Sequence, residues 1–228
     1  MELAKPENCH ELDFLDISHR GLTQLPSWIG ECTNLKTLIC HHNNITTFKY
    51  INFSNTIEII DCSYNNLTDL DILPILLLKL ICHCNSITSL DNLPLTLIYL
   101  KCDSNFIMSL QYLPQNLKFL DCSNNYLFTG KYIKINSDLI KQNTTFHSLV
   151  IPGKLKFLNC CGNYIEELNL KFDLLELICD KQTIIKQQYY LLHTIHLHDN
   201  RNFTNYQKLL DQSKIMNNTF YYKMISKK

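Results

Sequence analysis

Alanine and valine are almost missing from this chain: Ala4 is the only alanine and Val150 the only valine among 228 residues. Glycine is nearly as scarce, at five. So few glycines leave no loop able to cradle a phosphate, and no zinc-finger spacing or kinase signature is present. Neither sign of charge dominates, since Lys plus Arg and Asp plus Glu both total 21. That excludes a global field drawing in nucleic acid or an anionic membrane surface, and the terminal pair Lys227 and Lys228 is too short to supply one. The longest apolar run, residues 72–78, contains Pro74 and falls far short of the roughly 20 residues a membrane span needs. Residues 1–12 carry Glu2, Lys5, Glu7 and Glu11 without an apolar segment, so no secretory signal is read there. The expected location is intracellular, in the cytoplasm of the source cell or of a host.

Asparagine is abundant instead, at 24 residues, and there are eleven cysteines. An odd cysteine count in a chain read as intracellular argues for free, buried thiols acting as small hydrophobes rather than a disulfide framework. Six of them, Cys40, Cys62, Cys82, Cys102, Cys122 and Cys160, share one frame: an apolar residue, two spacers, an apolar residue, one spacer, the cysteine. Three residues after each comes Asn43, Asn65, Asn85, Asn105, Asn125 or Asn163. A pattern reused this faithfully requires coils stacked in register. Apolar residues at the first, fourth and sixth places would point inward from a short strand. The asparagine would turn the chain and satisfy backbone groups of the next coil. Eight or nine such coils make a parallel sheet on the order of 40 Å long. The cysteine slot is narrow, and ligands spread along a line cannot converge tetrahedrally on one metal ion.

The frame starts at Leu12, Leu15 and Ile17, recurs through Leu155, Leu158 and Cys160, and degenerates to copies read from Leu175 with Ile178 and from Leu192 with Ile195 and Leu197. This pattern resembles the leucine-rich repeat over residues 12–200. Copies such as SLDNLPLTLIYLKC and SLQYLPQNLKFLDC are similar to the short repeats of secreted bacterial effectors, whereas LTQLPSWIGECTNLKTL resembles the 23-residue intracellular type. The asparagine-rich composition resembles that of proteins from giant viruses of amoebae and from A+T-rich protists. The resemblance implies an α/β solenoid, a horseshoe with a parallel concave β-sheet and a mostly irregular or short-helical convex side. It also implies a scaffold that binds another protein on the concave face, usually without chemistry of its own. Some of the effectors carry a ubiquitin-ligase domain after their repeats, and the 28 residues beyond position 200 are too few for one.

Around the solenoid, residues 1–11 are expected to form an N-terminal cap and residues 201–228 a C-terminal helical cap, with Phe203, Tyr206, Leu209, Leu210 and Ile215 near a helical stripe. Between Leu117 and Leu155 the spacing is 38 rather than 20, so about 18 residues are inserted near 129–154. That insertion reads as a short convex-side helix, or else as a loop contacting a partner.

Register sorts the outward strand positions into rows. One runs Phe14, Thr37, Ile59, Lys79, Tyr99, Phe119, Phe157 and Leu177; its neighbour runs Asp16, Ile39, Asp61, Ile81, Lys101, Asp121, Asn159 and Cys179. Aromatic anchors flanked by charges of both signs are how a protein-binding patch is built. Phe14, Ile59, Tyr99, Phe119 and Phe157 are therefore candidate anchors, with Lys79 beside them and Asp61, Lys101 and Asp121 setting register. A protein partner is expected, with no cofactor, metal, nucleic acid, membrane or small-molecule substrate. A module for self-assembly is the alternative.

Two clusters could carry chemistry. Ser63, His83 and Asp103 fall on successive strands in the order hydroxyl, imidazole, carboxylate, a remote hydrolase reading set against the absence of any oxyanion-hole signal. Hydrogen bonding across a polar ladder accounts for them better. His196 and His198, near His193 and with Cys179 placed beside His196, could hold Zn²⁺ or Cu²⁺, or form a polar rim. The N-x-S/T triplets at Asn44, Asn52, Asn66, Asn143, Asn202 and Asn217 read as chance in so asparagine-rich a chain.

Overall fold

A computed structural model describes residues 3–127, 132–135, 138–141, 151–165, 167–170, 173–181, 183–187, 192–198 and 221–222. Each coil contributes one short strand where three residues alternate outward, inward, outward. The strands are β1 (Phe14–Asp16), β2 (Thr37–Ile39), β3 (Ile59–Asp61), β4 (Lys79–Ile81), β5 (Tyr99–Lys101) and β6 (Phe119–Asp121). After the pair β7 (Tyr132–Ile135) and β8 (Asp138–Lys141) come β9 (Phe157–Asn159), β10 (Glu167–Leu170), β11 (Leu174–Asp180), β12 (Ile184–Gln187), β13 (Leu192–His198) and β14 (Tyr221–Tyr222). Ten of these form one sheet in the order β1-β2-β3-β4-β5-β6-β9-β11-β13-β14, every pairing parallel. The expected solenoid with a parallel sheet is what the chain forms.

The core is a set of columns. The central strand residues Leu38, Ile60, Leu80, Leu100, Leu120, Leu158 and Leu177 are fully buried, each contributing about 2 kcal/mol from the removal of its side chain from water. The cysteines of the frame are buried beside them, and all eleven thiols are free. Desolvation raises the pKa of Cys62, Cys102, Cys122 and Cys160 well above that of an ordinary thiol, keeping them protonated and inert.

The asparagine column ties the coils together. Asn105 donates from Nδ2 to the Cys102 carbonyl of its own coil and to the Cys82 carbonyl of the coil before, both at 3.1 Å. Its Oδ1 accepts the Ile87 N–H at 2.9 Å. Asn65, Asn85, Asn125 and Asn163 repeat this set. The inter-coil bonds therefore run to the preceding coil and not, as expected from the sequence, to the next one.

All six prolines open turns, because Pro6, Pro26, Pro74, Pro94, Pro114 and Pro152 each accept the N–H three residues on through their carbonyls. In the later four the donor is Leu77, Leu97, Leu117 or Leu155, the first apolar residue of the next frame. Among the described residues outside the main sheet, regular structure is a 3-10 helix, Ser27–Glu31, which buries Trp28 and Ile29, a two-stranded parallel sheet of β10 and β12 and the pair β7 and β8. The N-terminal segment is fastened to that helix: Trp28 Nε1 donates to the Leu3 carbonyl at 3.0 Å, and Lys5 pairs with Glu31.

Three sequence expectations need correction or restriction. The described part of the insertion is not helical; β7 and β8 pair antiparallel, Tyr132 opposite Lys141 and Ile135 opposite Asp138. The frame read from Leu175 is shifted by one residue, because β9 pairs with β11 through Leu158 and Leu177. Leu174, Leu177 and Cys179 are then the inward set, each fully buried, and Cys179 extends the cysteine column. The helical cap expected over 201–228 lies outside the described residues, except that Tyr221–Tyr222 form β14.

Candidate functional site

Parallel pairing places Phe14, Thr37, Ile59, Lys79, Tyr99, Phe119, Phe157 and Glu176 in one outward row. Leu177, expected at the end of this row, faces the core and Glu176 takes its place. Strands about 4.8 Å apart hold flat side chains close to stacking distance. Tyr99 and Phe119 accordingly stack with ring centroids 4.1 Å apart and planes 5° from parallel; Phe119 and Phe157 do so at 4.3 Å and 3°. Lys79 caps the column, its Nζ 4.8 Å from the Tyr99 ring centroid, a cation–π contact. Ile59 continues the row half-buried, while Phe14 stands apart at the sheet's beginning, 54% exposed.

The adjacent row carries the charges. Lys101 Nζ lies 2.7 Å from Asp103 and 3.4 Å from Asp121. Burial tends to lower the pKa of this ammonium, but the hydrogen bond and charge of Asp103, reinforced by Asp121, outweigh it and hold Lys101 above its ordinary value. Asp61 and Asp121 each accept the backbone N–H and hydroxyl of the serine two residues on: Ser63 Oγ at 2.6 Å and Ser123 Oγ at 2.8 Å. These bonds fix the carboxylates. Ile178, not Cys179, ends the row before His196.

Ser63, His83 and Asp103 are not assembled as nucleophile, base and orienter. Ser63 is buried and gives its hydroxyl to Asp61. Asp103 is engaged by Lys101, and His83 Nδ1 is buried without a hydrogen-bond partner. In the other cluster, His196 Nε2 meets Glu176 Oε1 at 3.0 Å. Cys179 pairs in register with Leu197 and faces the core, so it is not a neighbour of His196. The side chain of His193 lies outside the described residues.

Two rows escaped the sequence reading. The residue two places after each Ile17 or cysteine adopts a left-handed backbone: His19, His42, Tyr64, Cys84, Ser104, Asn124 and Gly162 have φ between 51° and 68°. Those residues share no chemistry, and only the coil geometry imposes the conformation. The residue after each asparagine forms an edge row, in which Phe106, Tyr126 and Tyr164 stack at 5.7 and 6.1 Å while remaining 46%, 37% and 41% exposed. Its signal was legible as an aromatic at one fixed offset in three successive frames. These aromatics belong to the same coils as Tyr99, Phe119 and Phe157, so both rows enrich one stretch of the solenoid.

No protein-family profile and no curated protein sequence matches the chain. Solved structures do. A leucine-rich repeat domain of a Shigella effector superposes with a TM-score of 0.56 at 19% identity, over 94% of this chain and 81% of that one. A leucine-rich repeat protein of Leptospira interrogans gives 0.49 at 18%, over 97% and 70%. YopM from Yersinia enterocolitica gives 0.42 at 20%, over 81% and 55%. Taken with the sheet register and the asparagine column, the Shigella likeness establishes the architecture: this chain has the leucine-rich repeat fold.

Proposed function

We propose that the chain is a non-catalytic scaffold that binds a partner protein across the concave sheet, with Tyr99, Phe119 and Phe157 as the central anchors. The observation carrying this reading is the continuous column Lys79, Tyr99, Phe119 and Phe157, held in parallel planes on a sheet face. Stacked rings on adjacent strands have already lost their rotamer freedom, so a partner meets a rigid apolar surface at low entropic cost. Ile59 and Phe14 extend the apolar contact. Asp61, Lys101 and Asp121 supply fixed charges of both signs that select a complementary partner and its orientation. The general role of a protein-interaction scaffold fits the fold shared with the Shigella effector domain.

A photo-crosslinking residue in place of Ile59 captures the partner in the native cell. The recovered protein is then measured against purified wild type and a Tyr99→Ala, Phe119→Ala, Phe157→Ala triple variant whose far-UV circular dichroism is unchanged. Truncating anchors at the centre of an interface typically costs about 2 kcal/mol or more each, so the triple variant is expected to lose binding. Equal affinity for both proteins defeats the proposal.

A further inference from the structure

We propose that His19, His41 and His42 form a binding site for a divalent transition-metal ion of the zinc type, at the edge of the concave sheet where its first two strands end. Register builds the cluster. His19 and His42 occupy the same left-handed position in successive coils, with φ of 55° and 53°. His41 immediately precedes His42, and its carbonyl accepts the His19 N–H at 3.2 Å. One nitrogen from each ring lies within 4.8 Å of the other two, and His41 Nδ1 is 3.0 Å from His42 Nδ1. A tetrahedral zinc ion with Zn–N bonds of about 2.0–2.1 Å separates its ligand nitrogens by about 3.3 Å. The His41–His42 pair is close to that spacing, and His19, exposed and stacked on the His42 ring with centroids 4.4 Å apart, would turn out of that stack to complete the site.

Chemistry selects the ion. Imidazole nitrogens suit Zn²⁺, Cu²⁺ and Ni²⁺, and a site without oxygen ligands offers nothing to Mg²⁺ or Ca²⁺. Two carboxylates lie near the rings, Asp16 interacting with His41 and Asp61 with His42, and Arg20 offsets part of the Asp16 charge. Neutral imidazole is the ligating form, and an ordinary histidine is mostly neutral at pH 7 and above. Three protein ligands leave a fourth position to water. Among the described residues these are the only His, Cys, Asp or Glu side chains so gathered. The buried cysteine column cannot compete, since its thiols stay protonated within the core.

The test is calorimetric titration of the full chain with ZnCl₂ at pH 7.5, with Mg²⁺ and a phosphine reductant present. His19→Asn and His42→Asn are the variants, chosen because asparagine tolerates the left-handed backbone. His196→Asn controls for the second histidine cluster. The wild type and the His196 variant are expected to bind one equivalent. Each of the other two loses at least about tenfold in affinity, the least that removal of even an outer-shell partner typically costs. Co²⁺ loading reports ligand type: imidazole ligation gives d–d bands without thiolate-to-metal charge transfer. No stoichiometric binding by wild type, a thiolate band, equal loss in the His196 variant, or unchanged binding in both the His19 and His42 variants overturns the proposal.

Discussion

Phe119 and Phe157 stack at 4.3 Å, their planes within 3° of parallel, although 38 residues separate them, whereas Ile59, Lys79, Tyr99 and Phe119 in the coils before follow one another every 20. Strand β6 pairs with β9 through Leu120 and Leu158 as regularly as β5 pairs with β6. The inserted residues therefore leave the sheet's register intact. Replacing residues 128–151 by the shorter stretch 108–113, which occupies the same place in the preceding coil, restores a 20-residue repeat. The shortened chain is expected to fold with an unchanged sheet signal in circular dichroism. It also separates the two roles available to the insertion: if binding of the crosslinked partner survives, the insertion contributes no contact.

The asparagine column is expected to dominate the energetics of stacking. Replacing Asn105 by alanine leaves the buried Ile87 N–H without its acceptor and takes one of two donors from each of the Cys82 and Cys102 carbonyls, which keep Asn85 and Asn125 respectively. At roughly 1–3 kcal/mol for the one unsatisfied buried donor, with a smaller loss at each carbonyl that keeps a partner, the cost is about 2–3 kcal/mol. Asn44→Ala, at an exposed position, serves as the control and should stay within about 0.5 kcal/mol of wild type. Urea titration followed by circular dichroism measures both. Because coils interact only with neighbours, the loss is expected to broaden the transition as well as lower its midpoint.

How far the sequence reveals this molecule depends on which force sets each feature. Columns of Leu, Cys and Asn are legible because burial admits one kind of side chain at each place and repeats the requirement in every coil. The slip at Leu174 arose from two adjacent leucines that offer alternative registers; Cys179, two residues after Leu177, marks the correct one. The strand pair in the insertion was missed because short apolar runs such as Tyr132, Ile133 and Ile135 carry too few residues to separate a period of two from one of 3.6. The left-handed row was invisible for a different reason. His19, Tyr64, Cys84 and Gly162 have nothing in common except their offset from the core, and a conformation imposed by the coil leaves no mark on residue type. The histidine cluster depends on that row, which is why its members looked unrelated in the sequence.

Thiol accessibility distinguishes one cysteine from the other ten. Cys84 is half-buried, whereas every other thiol is buried. Burial raises the Cys161 pKa to about 11 and likewise that of Cys32 to about 11, which suppresses the reactive thiolate further. Brief treatment of the native protein with an alkylating reagent is expected to modify Cys84 first, and Cys84→Ser to abolish the fast phase. In denaturant all eleven react. Mass spectrometry of digested protein reads the outcome directly, and fast modification of Cys62 or Cys102 would contradict the closed core.

Acid should destabilise the protein through His83 and His42. Desolvation lowers the His83 pKa most; Lys101 adds to that effect and Asp103, Asp61 and Asp121 oppose it. His42 is lowered first by desolvation and then by His19 and His41, with Asp61 opposing. A histidine whose folded pKa lies below its unfolded value, about 6.5, binds fewer protons folded than unfolded in the window between the two. Stability then rises with pH across that window. It is fully present above about pH 6.5 and declines as the pH falls toward the folded values. Denaturation midpoints measured from pH 7.5 down to 5 are expected to drop, and His83→Gln to flatten part of the slope by removing the buried, unpartnered Nδ1 from the titration. A midpoint that rises on acidification would show that the carboxylates around Lys101 outweigh burial and hold His83 in its charged form.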